Sequence, residues 1–554
     1  MRVNLIYNST TQTGLAQDVH LVRGMWNMVD STAEFSKVHH TQPQCAEADV
    51  NIFFEVVNPS LFIYAGINIW IPNPEWTYET WKVYIPQFDQ IWCKTDQCYG
   101  LFRQYSIKCI LTGWSSLGRG VGANKNFDKA IVLAGKNMFR HPQIVVDVYK
   151  HVESVDPLPE LHIVCDASRM NVVVPENLSS KIFLHSEMEE KDYNELLNEC
   201  GLAICISAAE GFGHAVAEAA STGCALLLGD IEPFQEMEYD AVWVPVHTTR
   251  EFGRMVPLSM FRGPDVMKAL DTFIQMSTEK KITMGETNQE AYIKNHNRWV
   301  DTMKYVIGQV PTTVYSLDAT ATPEEDLPTV TIVTPTRDRL KFMEICAGSV
   351  EVQCYPADKL EWIVLDDGKD TCEDLIKHIP FARHVLCTPG ISVAEKRNMG
   401  ARLAKHSVIV SFDDDDIYPP NSILYRVSML MRGEKGCVFC SVLPTYDICN
   451  YISFMNNPPI QLAQAERVSE ATLAFTKAFW EQKGFDDACR MAEGDSFIRG
   501  REHMCREISP QEVIVSLVHR KTTSSRKAPE GMQPNGCHFG FTDELFKMLS
   551  EIGA

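Results

Sequence analysis

Along its first 230 residues the chain repeats one device, a short and mostly apolar run followed by a polar or amphipathic stretch. The runs are VNLIY (3–7), VNIFFEV (50–56), KAIVLAG (129–135), LHIVCD (161–166), KIFLH (181–185), LAICIS (202–207) and ALLLGD (225–230). Runs this short and this apolar read as strands buried on both faces. Such strands need helices to cover them, and helical patterns such as EKDYNELLNECG (190–201) lie between them. The alternation confines the chain to βαβ units with parallel sheets. There is room for two Rossmann-like halves, with a break expected near 113–128 (GWSSLGRGVGANKNFD). The stretch NQEAYIKNHNRWVDTMKYVIGQ (288–309) predicts a long closing helix.

A second α/β series follows. VTIVTP (330–335), EWIVLDDG (361–368), RHVLC (383–387) and SVIVSFDDDD (407–416) read as strands. The stretch before them, GQVPTTVYSLDATATPEEDLPT (308–329), has three prolines, an acidic cluster and no apolar period, so it reads as a linker. The expected organisation is a first module over 1–310, a linker over 311–328, a second module over 329–530 and a tail over 531–554. Within the first module, about 1–120 and 121–285 form the two halves and 286–310 the closing helix.

The net charge of −21 argues against a general nucleic-acid or anionic-membrane surface, both of which need basic patches. No run approaches the ~20 apolar residues of a membrane span, and the N-terminus lacks a signal-peptide core. A cytoplasmic chain with no transmembrane segment and no nucleic-acid partner is expected. Of its eighteen cysteines only Cys437 and Cys440 have CxxC spacing, and no second pair completes a zinc site. Buried thiols are expected.

Three strands of the second series end in polar signatures: Pro335-Thr336-Arg337-Asp338, Asp366-Asp367-Gly368, and Asp413 to Asp416. In open α/β sheets ligands bind beyond the carboxyl ends of the strands, so the three should converge. Neighbouring carboxylates repel by roughly 1 kcal/mol per pair even in water. A hard divalent cation bridging phosphate oxygens offsets that repulsion. Alternation puts Asp413 and Asp415 on one side, so one or both could reach it.

From Val330 to about Arg526 the chain resembles the inverting, nucleotide-sugar-dependent glycosyltransferases of the GT-A fold (glycosyltransferase family 2-like). PTRDR, VLDDGKD, AEKRNMGA and FDDDDIYPP stand in that family's order. The resemblance implies that Pro335, Thr336, Arg337 and Asp366 or Asp367 surround the nucleoside. It places Lys396, Arg397 or Asn398 near the ribose or phosphates, with Asp414 beside them. It gives Asp413 and Asp415 to Mn2+ or Mg2+ on the diphosphate, with His519 near the metal or pyrophosphate. It also implies a base taken from an acid pair after a GFD stretch. Here GFDD (484–487) is followed by Glu493-Gly494-Asp495, and Asp495 is preferred over Glu493 because the family's base is the second acid. Trp480 could offer a sugar platform or simply pack in the core.

In the first module, SAAEGFGHAVAEAASTG (207–223) joins two strands. Gly211 and Gly213 allow the backbone to turn closely around a ligand, and the helix after them presents free N–H groups to phosphate. Glu210 and Glu218 can face one cleft, with Glu218 suited to paired ribose hydroxyls. This frame resembles the retaining GT-B glycosyltransferases with an E-x7-E signature (glycosyltransferases group 1). NSTTQTGLAQDVHLVRG (8–24), with Gly14, resembles their N-terminal glycine loop, and AGKNMFRHP (134–142) their diphosphate-facing strand end. The resemblance implies that Lys136, Arg140 and the helix dipole stabilise a departing diphosphate without metal. It places Gly211, Phe212, Gly213 and His214 at the donor and has Glu210 orient the donor sugar. Asn73-Pro74-Glu75-Trp76 is an acceptor-loop candidate.

Together these imply a bifunctional α/β enzyme, GT-B fused to GT-A. It would transfer two sugars from UDP- or GDP-linked donors to a glycan, glycoprotein or glycolipid acceptor. Tandem fusions of this kind occur in bacteria and in large DNA viruses, which makes a virus-encoded enzyme in host cytoplasm one source. The alternative keeps only the C-terminal module catalytic and the N-terminal one a degenerate sugar-binding or structural domain. A Ca2+-dependent carbohydrate-binding protein would explain the aspartates but not the EGFG frame, the DDG turn or the late acid pair.

Overall fold

The structure, a computed structural model, describes all residues except 11–13, 121–124, 152–157, 187, 313, 318–321, 434, 521, 523–526, 536–539 and 554. Parts of the N-terminal glycine loop (11–13), of the expected mid-module break (121–124) and of the expected linker (313, 318–321) therefore lie outside the described residues. The chain divides into two compact units. The first comprises Met1–His40, Ala48–Val57 and Gly66–Val314, and the second Thr41–Glu47, Asn58–Ala65 and Tyr315–Ala554.

The first unit is built on two six-stranded sheets. One contains β1 (Arg2–Tyr7), β2 (Glu34–His39), β3 (Ala48–Phe54), β4 (Ala65–Ile71), β5 (Gln90–Cys93) and β6 (Cys109–Leu111), in the order β2-β1-β3-β4-β5-β6. β1 runs parallel to β2 and β3, and β5 parallel to β4 and β6. β3 is buried at every position, so its asparagine needs partners indoors. Asn4 Nδ2 donates to Asn51 Oδ1 and Asn51 Nδ2 to Asn68 Oδ1, both at 3.0 Å, a ladder across three strands.

The other sheet contains β7 (Asn126–Gly135), β8 (Glu160–Cys165), β9 (Ile182–His185), β10 (Cys200–Cys205), β11 (Ala225–Gly229) and β12 (Ala241–Val244), all parallel, in the order β12-β11-β10-β7-β8-β9. A short hairpin, β13 (Thr248–Arg250) with β14 (Leu258–Met260), follows. The closing helix is longer than its apolar pattern suggests. It spans Thr278–Gly308, starts where the Ser277 hydroxyl accepts from Lys280 N–H, and buries Tyr292, Trp299 and Met303. These pack with Trp26, Val216 and Trp114 in one core drawn from both sheets.

The second unit centres on a mixed seven-stranded sheet. Its strands are β15 (Val330–Thr336), β16 (Leu360–Asp366), β17 (Ala382–Leu386), β18 (Val408–Ser411), β19 (Cys437–Phe439), and, further along the chain, β22 (Ala474–Thr476) and β23 (Cys505–Glu507). Between β19 and β22 come β20 (Leu443–Asp447) and β21 (Ile452–Asn456), which join β24 (Ser516–Val518) in a small sheet. The large sheet has the order β17-β16-β15-β18-β22-β19-β23. The first four of these are mutually parallel, and β22 enters antiparallel to β18. Residues 543–553 of the expected tail form a helix whose Leu549 packs with Tyr446, Ile448 and Leu517.

No helix among the described residues is long and apolar enough to cross a membrane. None of the described cysteines forms a disulfide, and Cys437 and Cys440 are buried.

Candidate functional site

In the second unit the three polar signatures meet at the carboxyl ends of β15, β16 and β18. The four aspartates after β18 are all engaged, with Arg339 shared by Asp414 and Asp415. Asp413 accepts from Arg397 Nη2 at 2.7 Å. Asp414 accepts from Thr336 Oγ1 at 2.7 Å and from Arg339 Nη1 at 2.8 Å. Asp415 lies 2.6 Å from Arg339 Nη1 and 3.0 Å from His519 Nε2. Asp416 points the other way and accepts from Leu517 N–H, which fixes the strand that delivers His519. Burial, then the neighbouring Asp415, pushes the Asp414 carboxyl up to about 7. Burial likewise raises Asp413, against the pull of Arg397.

The β16 turn is tied to the β15 end. Asp338, in left-handed conformation, accepts from the N–H groups of Lys369 and Asp370. A Cβ on Gly368 would lie 2.7 Å from Asp338 N, so the turn needs glycine. Asp366 is buried and accepts from Gly368 N–H, Cys372 N–H and His384 Nε2. Asp367 pairs with Lys396, whose ammonium also donates to Thr336 O at 2.7 Å. Arg337 is exposed and 3.9 Å from Asp367. Asn398 is a structural pin: its amide donates to Phe485 O and Asp487 and accepts from Trp480 Nε1 and Phe485 N–H. Trp480 thus sits partly buried against the Phe475–Phe497 core.

The late acids separate. Glu493 is buried and accepts from Arg397 Nε at 2.9 Å, so Arg397 bridges it to Asp413. Asp495 lies 2.6 Å from Arg499 and is about a third exposed. Glu470, which no motif marks, accepts from Gly494 N–H at 3.0 Å. Burial and Glu493 push its carboxyl up to about 7.

In the first unit the EGFG loop follows β10. Gly213 has φ of +113° and a Cβ there would meet the Phe234 ring at 2.6 Å, so only glycine fits. Glu210 accepts from Arg140 Nε at 2.7 Å, while Lys136 is exposed. Arg140 also lines a cavity of about 460 Å3 with His141, Arg169, Met170 and Phe261. Glu218 is held on both oxygens: Arg119 and Gln17 reach Oε1 at 2.7 Å each, and Tyr193 donates to Oε2 at 2.8 Å.

His214 opens the helix His214–Ser221, with Nε2 at 2.8 Å from Asp18 and Nδ1 at 2.6 Å from Ser116 Oγ. Gly14 abuts it, since a Cβ there would lie 3.1 Å from the imidazole. Asp18 is fully buried and takes Lys94 Nζ at 2.5 Å and Trp114 Nε1 at 2.6 Å. Burial alone would raise the Asp18 carboxyl, but Lys94 and His214 outweigh it and hold it at about 2.

Residues 331–489 match the family model for glycosyl transferase family 2. The second unit therefore carries a glycosyltransferase domain of the GT-A kind. No curated protein matches the chain. Among solved structures it is similar to the mannosyltransferase PcManGT from Pyrobaculum calidifontis in complex with GDP-Man and Mn2+. There the identity is 19%, the alignment covers 35% of this chain and 58% of that one, and the TM-score is 0.28. It is also similar to residues 1–349 of S. aureus TarS in complex with UDP, at 12% identity, 34% and 61% coverage, and a TM-score of 0.29. The chain spans under two thirds of the length of either.

Proposed function

We propose that the second unit transfers a sugar, with inversion, from a UDP- or GDP-linked donor to a glycan acceptor. The observation that carries this reading is the contact of Asp415 with His519 Nε2 at 3.0 Å beyond the end of β18, where Asp413 to Asp416 lie within the matched residues 331–489. Asp413 and Asp415, turned from Arg397 and Arg339, would join His519 as donors suited to Mn2+ or Mg2+. Such an ion supplies charge neutralisation on a departing diphosphate. Around it Thr336, Arg337, Asp366, Asp367 and Lys396 would take the nucleoside and phosphates, Asn398 would fix the acceptor-side GFDD segment, and Asp414 would anchor Thr336. For the base that takes the acceptor proton we propose Glu493, because Arg397 ties it to Asp413, whereas Asp495 faces Arg499.

For the first unit we propose a retaining, metal-independent transferase of the GT-B kind. Two parallel six-stranded sheets and a helix starting at His214 beyond a double-glycine turn support it. In this reading Arg140, Lys136 and the loop Gly211–Gly213 hold the diphosphate, with Glu210 on the donor sugar. The full engagement of Glu218 favours a second reading, in which this unit binds sugar without transferring it.

Hydrolysis of a panel of UDP- and GDP-sugars by the full chain tests both. The Asp413→Asn/Asp415→Asn variant should lose the Mn2+-dependent activity and keep an EDTA-resistant one, which Glu210→Gln should remove. Mn2+-dependent turnover surviving the double variant would refute the metal assignment. Absence of any EDTA-resistant turnover would select the second reading of the first unit.

A further inference from the structure

We propose that Asp366, Cys372 and His384 form a binding site for Zn2+ in the second unit, made of residues other than the aspartates after β18. The inference goes beyond the transferase reading and stands independently of it, and that reading gives neither Cys372 nor His384 a role. Asp366 ends β16, and β17 runs parallel beside it with His384 opposite Val364. Alternation along a strand puts Val364 and Asp366 on one face, so His384 arrives on the face of Asp366. Its Nε2 stands 3.1 Å from Asp366 Oδ2. The chain leaves β16 through Asp367-Gly368 and folds back, so that Cys372 N–H donates to the same oxygen at 3.1 Å. One donor atom from each of the three side chains, the Cys372 sulfur included, lies within 4.8 Å of the other two. The set is indoors: Asp366 and Cys372 are each 1% exposed, and the His384 side chain 7%.

The donor set selects the metal. Thiolate sulfur, imidazole nitrogen and carboxylate oxygen are the three ligand types that bind zinc in proteins. Mg2+, Ca2+ and Mn2+ favour sets made of oxygen, and a thiolate counts against them. Around a tetrahedral zinc, with bonds of about 2.0–2.3 Å, donor atoms stand roughly 3–4 Å apart. The His384–Asp366 pair already has that spacing, and the remaining donors need to close by at most about 1.5 Å. On binding, the Cys372 thiol gives up its proton to solvent. The imidazole ligates as its neutral form through Nε2, with its proton on Nδ1. Thiolate and carboxylate then balance the two charges of the ion, and one proton leaves for each ion bound. Three protein ligands leave the fourth position to water. The ion ties the end of β16 to β17 and to Cys372, and so clamps the turn that carries Asp367 and Gly368. In the zinc-loaded chain Asp366 is withheld from the nucleoside, and Asp367 is left for it.

The test is titration of the full chain, in excess Mg2+, with Co2+ as the spectroscopic stand-in for Zn2+, followed by displacement with Zn2+. We expect Co2+ to raise a thiolate-to-cobalt charge-transfer band together with the strong visible bands of tetrahedral cobalt, and Zn2+ to abolish both. Asp413, Asp415 and His519 offer no thiol, so the charge-transfer band does not report on them. Cys372→Ser should lose that band, with Cys372→Ala serving the same comparison if the serine variant does not fold. His384→Ala should weaken Zn2+ binding by more than about a hundredfold, beyond the cost of losing an outer partner of a metal site. Cys354→Ser, which removes an exposed thiol, should change neither band nor affinity. Melting in EDTA shows that each variant is folded, and Zn2+ should raise the melting transition of wild type but not of the Cys372 variants. A wild-type chain with no thiolate band, a band that survives loss of the Cys372 thiol, or wild-type Zn2+ affinity in His384→Ala would each overturn the assignment.

Discussion

Replacing Arg339 by methionine removes a cation shared by two of the four aspartates. Its Nη1 lies 2.8 Å from Asp414 and 2.6 Å from Asp415, with the guanidinium 23% and Asp414 3% exposed. Breaking a buried pair by deleting one partner costs about 3–5 kcal/mol. Two features favour the lower end. Asp414, pushed up to about 7, can take a proton, and Asp415 keeps His519. We expect a loss of about 3 kcal/mol in EDTA, which at about 2–4 °C per kcal/mol lowers the melting transition of this unit by about 6–12 °C. A divalent ion bound by the same carboxylates should reverse much of this. At about 100 times its dissociation constant it returns about 2.7 kcal/mol. Scanning calorimetry of wild type and Arg339→Met, in EDTA and in MnCl2, measures both effects. Arg337→Met, an exposed change 3.9 Å from its nearest carboxylate, is the control and should shift stability by under about 0.5 kcal/mol. An Arg339→Met melt that matches wild type in EDTA, or that Mn2+ leaves unmoved, refutes the idea that Arg339 balances a cation-binding cluster.

Gly211→Ala should cost about 1–3 kcal/mol by overpacking against Asn73 and Glu75 and abolish the EDTA-resistant hydrolysis, read from urea melts and donor turnover. Glu493→Gln should abolish transfer by the second unit while leaving nucleotide binding intact, and Asp495→Asn should act mainly through loss of the Arg499 contact; the opposite pattern in single-turnover assays would return the base to Asp495. Asp18 is held at about 2, below its ordinary 3.8, so its contribution is full above pH 3.8 and lost as pH falls towards 2. Between pH 5 and pH 3 this predicts roughly 1 kcal/mol of acid sensitivity in the first unit, which Asp18→Asn should not show in urea midpoints across that range.

The eleven strands read from the sequence were legible because each is a short apolar run, and in the second series the polar signatures stand at the carboxyl ends; β2, β4, β5, β6, β12 and the strands after β18 were not read. Asp413, Asp415 and the EGFG loop could be found for that reason. The start of the long helix at Thr278 was not, because TEKKITMGET carries little apolar period and only the Ser277 cap marks it. The tail helix was missed similarly, lying beyond a Gly/Pro-rich stretch. Arg339 belongs to the quoted PTRDR motif, yet nothing local says that it, and not Arg337, turns onto the aspartates. Asp18, Lys94, Arg119 and Glu470 were invisible because their partners lie far off in sequence. Asp18 meets Lys94 across 76 residues and His214 across 196. The grouping of Thr41–Glu47 and Asn58–Ala65 with the second unit has no signature in composition or spacing.

Electron paramagnetic resonance of Mn2+ added to the full chain, with and without UDP or GDP, tests the proposed metal site at its source. Wild type should bind the ion more tightly when the matching nucleoside diphosphate is present, and Asp413→Asn/Asp415→Asn should show neither the bound signal nor the nucleotide enhancement. A wild-type chain that leaves Mn2+ free in the presence of either nucleotide, or a double variant that binds it as well as wild type, would contradict the account.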